Sequence, residues 1–147
     1  MKAEESFPIQ PLSLEDFPKL DFDVYIRIAD KFILYFRRGE FVDEARLDRL
    51  IQKKLKQLFL AKSYEAKYRQ GLSAHLDEIL KKSFEPDLPL LLQAHNVLYS
   101  LTFDIMRAPS DPFLFQIFRK GVEAYIEMLP KVKKALKAVL SIKNYGR

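Results

Sequence analysis

Residues 22–37 read FDVYIRIADKFILYFR, and this stretch decides the fold class. Phe22, Val24, Ile26 and Ile28 alternate with Asp23, Tyr25 and Arg27, the period of two that sets one face of a strand against a core. Ala29, Asp30 and Lys31 supply a short turn, and Phe32 to Arg37 form a second β-rich run that closes at Gly39. The pair predicts an antiparallel hairpin.

Upstream, FPIQPLSLEDFP at residues 7–18 carries Pro8, Pro11 and Pro18 and predicts an extended lead-in docked on the core. Downstream, Asp43 is placed to cap a helix whose apolar residues are Leu47, Leu50 and Ile51. LFLA at residues 58–61 predicts a third strand. From an N-cap at Ser63, Tyr64, Tyr68, Leu72, Leu76 and Leu80 recur every four residues and predict an amphipathic helix. Gly71 weakens that helix.

After SFEP at residues 83–86 the pattern is helical throughout. Asp87 and Pro89 open a helix with Leu91, Ala94, Leu98, Leu101 and Ile105 on one face. RAPSDP at residues 107–112 breaks it. The next helix carries Phe115, Phe118, Val122, Tyr125, Ile126 and Leu129, apolar over so much of its circumference that contacts on two sides are expected. Pro130 is expected to kink or restart the chain into a last helix bearing Val132, Leu136, Val139, Leu140 and Ile142 and ending near Gly146. The expected class is α+β: a small mixed sheet, hairpin plus third strand, with two helices over residues 1–82, then a connector of three helices over residues 83–147.

Composition narrows the function. The chain has 147 residues, 48% hydrophobic and 31% charged, enough for a sizeable core. It has no cysteine, which excludes disulfides, thiolate zinc sites and cysteine nucleophiles. Two histidines, His75 and His95, cannot supply a His-rich metal centre. In His75-Leu76-Asp77-Glu78, His75 and Asp77 sit about 200° apart on a helix and cannot share an ion, so His75 reads as a surface residue. His95 has no partner three or four residues away, which suits packing, and Ser100 has no base set beside it by spacing. The four glycines build no phosphate-binding loop. No catalytic residue, metal or cofactor is therefore assigned. The N-terminal MKAEESFPIQ lacks the apolar core of a signal peptide, and the expected location is cytoplasmic, with no membrane span.

Net charge is +5, but residues 1–30 hold seven acids against three bases, which leaves +9 on the remainder. Past Pro130, six basic residues, Lys131, Lys133, Lys134, Lys137, Lys143 and Arg147, meet no acid. Arg37, Arg38, Arg46 and Arg49 form a candidate anion-binding set, with Lys53, Lys54 and Lys56 following. Both basic groups read first as solvated helix faces, with binding of nucleic acid or an anionic ligand as the alternative function. Nineteen Phe and Tyr residues and no Trp are present. Phe115, Phe118, Val122, Tyr125 and Ile126 are the candidate homodimer interface.

The stretch FPKLDFDVYIRIADKFILYFRRGEFVDEARLDRLIQKKLKQLFLAKSYEAKY, residues 17–68, resembles the N-terminal accessory domain ahead of HD-GYP domains in bacterial cyclic-di-GMP phosphodiesterases. The shared pattern is a strand with Phe22, Asp23, Tyr25 and Ile26, a second strand ending near Gly39, and a helix with Asp43 and Leu47. A short strand with Leu58 and Phe59 and a segment with Tyr64 and Tyr68 complete it. The later helices, with the break at Pro109-Ser110 and the run to Tyr145, look like the helical connector of such proteins, and similar modules precede PilZ receptor domains. The family's His-Asp dyad and Gly-Tyr-Pro triplet are missing, as are GGDEF, EAL and PilZ motifs, so no catalytic role is carried over. The resemblance implies a non-catalytic regulatory, sensory and dimerisation domain, with an output domain beyond residue 147 or in a partner chain.

Overall fold

The computed structural model describes residues 1–53 and 55–145; Lys54, Gly146, Arg147 and the side chains of Asp16 and residues 142–145 lie outside it. The expected roles of Lys54, Ile142, Lys143, Tyr145, Gly146 and Arg147 therefore fall outside the described residues. The fold is α+β, with one antiparallel sheet and four α-helices among the described residues. It divides into two compact units, Met1–His75 and Leu76 onward, and the division falls within a helix.

In the first unit the predicted hairpin forms: β2 (Val24–Ile28) pairs with β3 (Lys31–Phe36), from Val24 opposite Phe36 to Ile28 opposite Lys31, with Phe22, Val24 and Ile26 buried and Ile28, next to the turn, exposed rather than on the core face. Ala29 and Asp30 both take positive φ, 50° and 64°, the left-handed pair that lets a two-residue turn follow the twist of its strands. Arg27 Nη2 donates to Asp30 Oδ1 at 3.2 Å across that turn. LFLA becomes β4 (Leu58–Ala61), with Leu58 and Leu60 fully buried.

The lead-in is the correction. Ser6–Ile9 is a strand, β1, pairing antiparallel with β4 so that Phe7 lies opposite Leu60 and Ile9 opposite Leu58. The sheet therefore has four strands rather than three, in the order β1-β4-β2-β3, and it is antiparallel rather than mixed. Pro8 is tolerated because β1 is an edge, where one side of the strand needs no ladder donor.

The helices follow from their caps and faces. Helix α1 (Glu44–Gln52) starts at Asp43, whose Oδ1 accepts from Ala45 N at 2.9 Å, and it buries Leu47 and Leu50. Helix α2 (Glu65–Lys81) is entered through a 3-10 turn at Lys62–Tyr64, where Ser63 was expected to cap. Its buried residues are Tyr68, Leu72, Leu76 and Ile79; after three turns the 3.6-residue period replaces the expected Leu80 with Ile79. Tyr68 packs on Phe7 at 5.7 Å, stacks on Phe17 at 5.8 Å and meets Phe22 at 6.4 Å, which closes the inner face of the sheet.

In the second unit, α3 (Leu88–Arg107) is capped by Asp87, whose Oδ1 accepts from Leu90 N at 2.9 Å. Asp111 Oδ1 accepts from Phe113 N at 3.0 Å and starts α4 (Pro112–Tyr145). Helix α4 continues through Pro130, so the expected restart does not occur and α3 and α4 replace three separate helices. Proline deletes the hydrogen bond to the Ile126 carbonyl, a cost of ~3 kcal/mol in a helix interior. Both Pro130 and Ile126 are exposed, so water can take that carbonyl, while Met128 and Val132 on the other side stay buried and keep the helix continuous.

Gly71 marks a close approach: a Cβ built there would lie 1.9 Å from Phe17 Cε1. Helix propensity alone favours Gly71→Ala by ~1 kcal/mol, but the Phe17 ring must move out of its stack on Tyr68, an overpacking cost of ~1–3 kcal/mol. The expected outcome is net destabilisation in denaturant unfolding; a stabilised variant would contradict the packing described.

Candidate functional site

Helix α4 sorts its apolar residues into two bands. Leu114, Ile117, Gly121, Ala124, Met128 and Val132, spaced by three or four, are buried. This band packs on α3, which runs in the opposite direction, and on the end of α2: a Cβ at Gly121 would come within 2.8 Å of Leu98 Cδ2 and 3.6 Å of Leu76 Cδ1, and on the adjoining flank the Tyr125 ring lies 6.3 Å from that of His95. Gly121 and Ala124 allow that close approach.

The five expected interface residues form the second band, one flank round from the first. Phe115 and Ile126 are 49% and 63% exposed, and Phe118, Val122 and Tyr125 are half-buried. The structure brings all five together on α4 and uses none of them as the centre of its own core. Leu129 extends the band. The true core register, starting at Leu114 and Ile117, went unassigned in the sequence because both bands are apolar at helical spacing. The two small residues at 121 and 124 were the signal separating them.

Past Val132 the helix changes. Every residue from Lys133 to Ser141 is exposed, including Leu136, Val139 and Leu140 at 44%, 52% and 58%. The expected break at Pro130 hid the continuity of these three with the band before it. Charge divides at the same place: residues 115–129 hold Arg119, Lys120, Glu123 and Glu127, whereas residues 130–141 hold four lysines and no acid. Arg119 and Glu123 pair at 3.2 Å.

The candidate anion-binding set divides into one arginine engaged within the fold and three exposed ones. Arg46 is occupied within the fold: Nη2 donates to the Tyr35 carbonyl, Nη1 to Glu40 Oε2 at 3.3 Å, and its guanidinium lies 4.4 Å and 4.7 Å from the ring centres of Phe36 and Tyr35. It clamps α1 to β3. Arg37, Arg38 and Arg49 are exposed. Arg38 contributes its backbone N–H to Asp23 Oδ1 at 2.7 Å, beside a turn in which Gly39 takes φ +89°.

The histidines lie apart. His75 is half-buried on α2 rather than on open surface, and His95 is exposed beside Tyr125. Ser100 and Asp104 are fully buried on the core face of α3. Among the described residues no group of three or more His, Cys, Asp or Glu is placed to hold a metal ion, and no helix is long and apolar enough to cross a membrane. An open recess of about 470 Å³ in the first unit is lined by Arg27, Asp30, Lys56, Gln57 and Phe59 among others.

No family model matches the chain, and no curated protein matches it. Among solved structures it is similar to Bd1817, a HDG"Y"P protein from Bdellovibrio bacteriovorus, with a TM-score of 0.60 and 23% sequence identity over 92% of this chain. The match covers 45% of the Bd1817 chain, so this chain spans under half of that protein's length. The likeness is one of fold.

The Arg46 contacts separate a structural arginine from exposed ones. Arg46→Ala is expected to lower stability by ~1–3 kcal/mol through lost hydrogen bonds and ring contacts. The Arg37→Ala, Arg38→Ala double variant should stay within ~0.5 kcal/mol, as surface changes do. Urea unfolding of the three proteins checks both; equal losses would contradict the distinction.

Proposed function

We propose that this chain is a non-catalytic regulatory, sensory and dimerisation module of a cyclic-di-GMP signalling protein, with its output domain in the same or a partner chain. The observation that carries it is the second apolar band of α4, in which Phe115, Ile126 and Leu129 are exposed and the rest half-buried although the first band already supplies the core. A folded domain leaves aromatic and branched residues open along one helix face at a cost in solubility, so such a band marks an interaction surface. The fold shared with part of a HDG"Y"P protein, and the resemblance of residues 17–68 to accessory domains of that class, support the signalling assignment.

The mechanism is a change of helix packing. The α/β head of residues 1–82 responds to a signal, and the connector that follows passes the response on through α4, whose two apolar bands allow two pairings of comparable energy. Two copies joined through Phe115, Phe118, Val122, Tyr125 and Ile126 would bury the exposed band. A stable dimer needs about 800 Å² on each partner, more than these five side chains supply alone, so flanking residues of α4 belong to the same surface.

Light scattering over a concentration series at low and high salt tests this. A dimer that persists in high salt is expected, because apolar burial is not screened. Phe118→Glu should convert it to monomer, raising the dissociation constant by at least ~100-fold, the effect of ~3 kcal/mol, with unchanged helix content by circular dichroism. A wild-type monomer at every concentration would overturn the dimerisation reading.

A further inference from the structure

Helix α3 carries a stripe that its own unit does not cover. Leu88, Leu92, His95, Tyr99, Thr102 and Met106 follow one another at steps of four and three, one face of a helix, and all are exposed, Tyr99 and Met106 at 51% and 78%. From Leu88 to Phe103 the helix holds no Asp, Glu, Lys or Arg, in a chain that is 31% charged. A helix with one side in water normally sets its charges there, and one that lacks them is covered on both sides. The second band of α4 is free of charge in the same way: Lys120, Glu123 and Glu127 lie roughly 100–160° round from Val122 at its centre, with Arg119 at its margin. The two stripes turn to the same side of the helix pair. Leu98 and Leu76 meet Gly121 from the core side, whereas the His95 and Tyr125 rings join the exposed flank of one helix to that of the other. Because the helices are antiparallel, Leu92 comes level with Leu129, Tyr99 with Val122 and Met106 with Phe115, each to within about one residue.

We infer that α3 and α4 form the dimer surface together, each copy laying this two-helix face on the same face of a second copy to make a four-helix bundle. Area supports that occupant. The stripes run side by side for ~25 Å, and two helices of ~10 Å diameter give a width of ~20 Å, so the footprint is ~500 Å². The relief of the side chains raises its accessible area toward the ~800 Å² that each partner of a stable dimer contributes, which the α4 band does not reach by itself. Charge supports it too. A face without charges gives a foreign partner no electrostatic register to read, and its complement is a face of equal size that is apolar and uncharged in turn. The chain supplies one such face, and a two-fold axis sets the same patch on both partners. The α3 stripe is also continuous, through His95 and Tyr125, with the band already assigned to the interface.

This inference rests on the dimerisation reading above, and its test separates the two. Leu92→Glu and Tyr99→Glu each set a charge in the α3 stripe. Gln93→Glu sets the same charge on an exposed position of α3 about 120° round from Tyr99, and Tyr99→Leu keeps the stripe apolar. Light scattering of the full chain over a concentration series gives the dissociation constant of each variant, and circular dichroism gives its helix content. A charge left unpaired in a buried apolar interface is strongly destabilising, so Leu92→Glu and Tyr99→Glu are each expected to raise the dissociation constant at least ~100-fold with helix content unchanged. Gln93→Glu and Tyr99→Leu are expected to stay within ~5-fold of the wild type, as changes outside a buried charge contact do. A wild-type dimer that Phe118→Glu dissociates but neither α3 glutamate weakens would overturn the inference and leave the dimerisation reading standing on α4 alone. Equal weakening by Gln93→Glu would overturn it as well, since the effect would then belong to charge on α3 in general. A wild-type monomer at every concentration would overturn both.

Discussion

The first unit depends on one aromatic contact set. Tyr68 on α2 reaches Phe7 on β1, Phe17 in the lead-in and Phe22 just ahead of β2, so one side chain ties three separate stretches of chain to one helix. Gly71, one turn further along α2, is what lets Phe17 lie flat against Tyr68 at an interplanar angle of 18°. A side chain at 71 would fill the space the ring occupies. The sheet is thus held on its inner face by aromatic area, worth more per residue than aliphatic area and costing little side-chain entropy. On the outer face, Phe32 and Phe59 meet edge-on at 5.3 Å and Arg27 covers Phe32 at 5.5 Å, a lighter and partly exposed layer.

What could be read from the sequence follows from how many periods each element repeats. The hairpin carries five and six strand residues on either side of a two-residue turn, and the Asp43 and Asp87 caps stand next to apolar helical periods, so these elements were legible from local pattern. Strand β1 was not. It is four residues long, holds a proline and becomes a strand only because β4, some fifty residues away, presents a matching edge. Pro130 misled in the opposite direction. Proline's local cost is real, but tertiary burial of Met128 and Val132 on the far side of the helix outweighs it.

The candidate sites divide along similar lines. The band from Phe115 to Ile126 was legible because aromatics on one helix exceeded what a small core can absorb. Its separation from the core band was not legible, since both share the same period and differ only by a rotation. Arg46 shows the reverse case. By composition it belongs with Arg37, Arg38 and Arg49, and only the geometry reveals that Tyr35, Phe36 and Glu40 already satisfy it. A charged residue's neighbours across a fold leave no trace in its own stretch of chain.

Helix α4 then poses one problem that its own unit does not solve. Its first half has two apolar bands, of which one is buried against α3 and the end of α2; its second half has an apolar band and, among the described residues, no buried side chain beyond Val132. The first half is charge-balanced and the second carries only lysine. Both halves therefore leave apolar area open, the first in a charge-balanced setting and the second among lysines. On the dimerisation reading, this open apolar area of α4, rather than any single residue on it, is what would link dimer geometry to whatever the chain regulates.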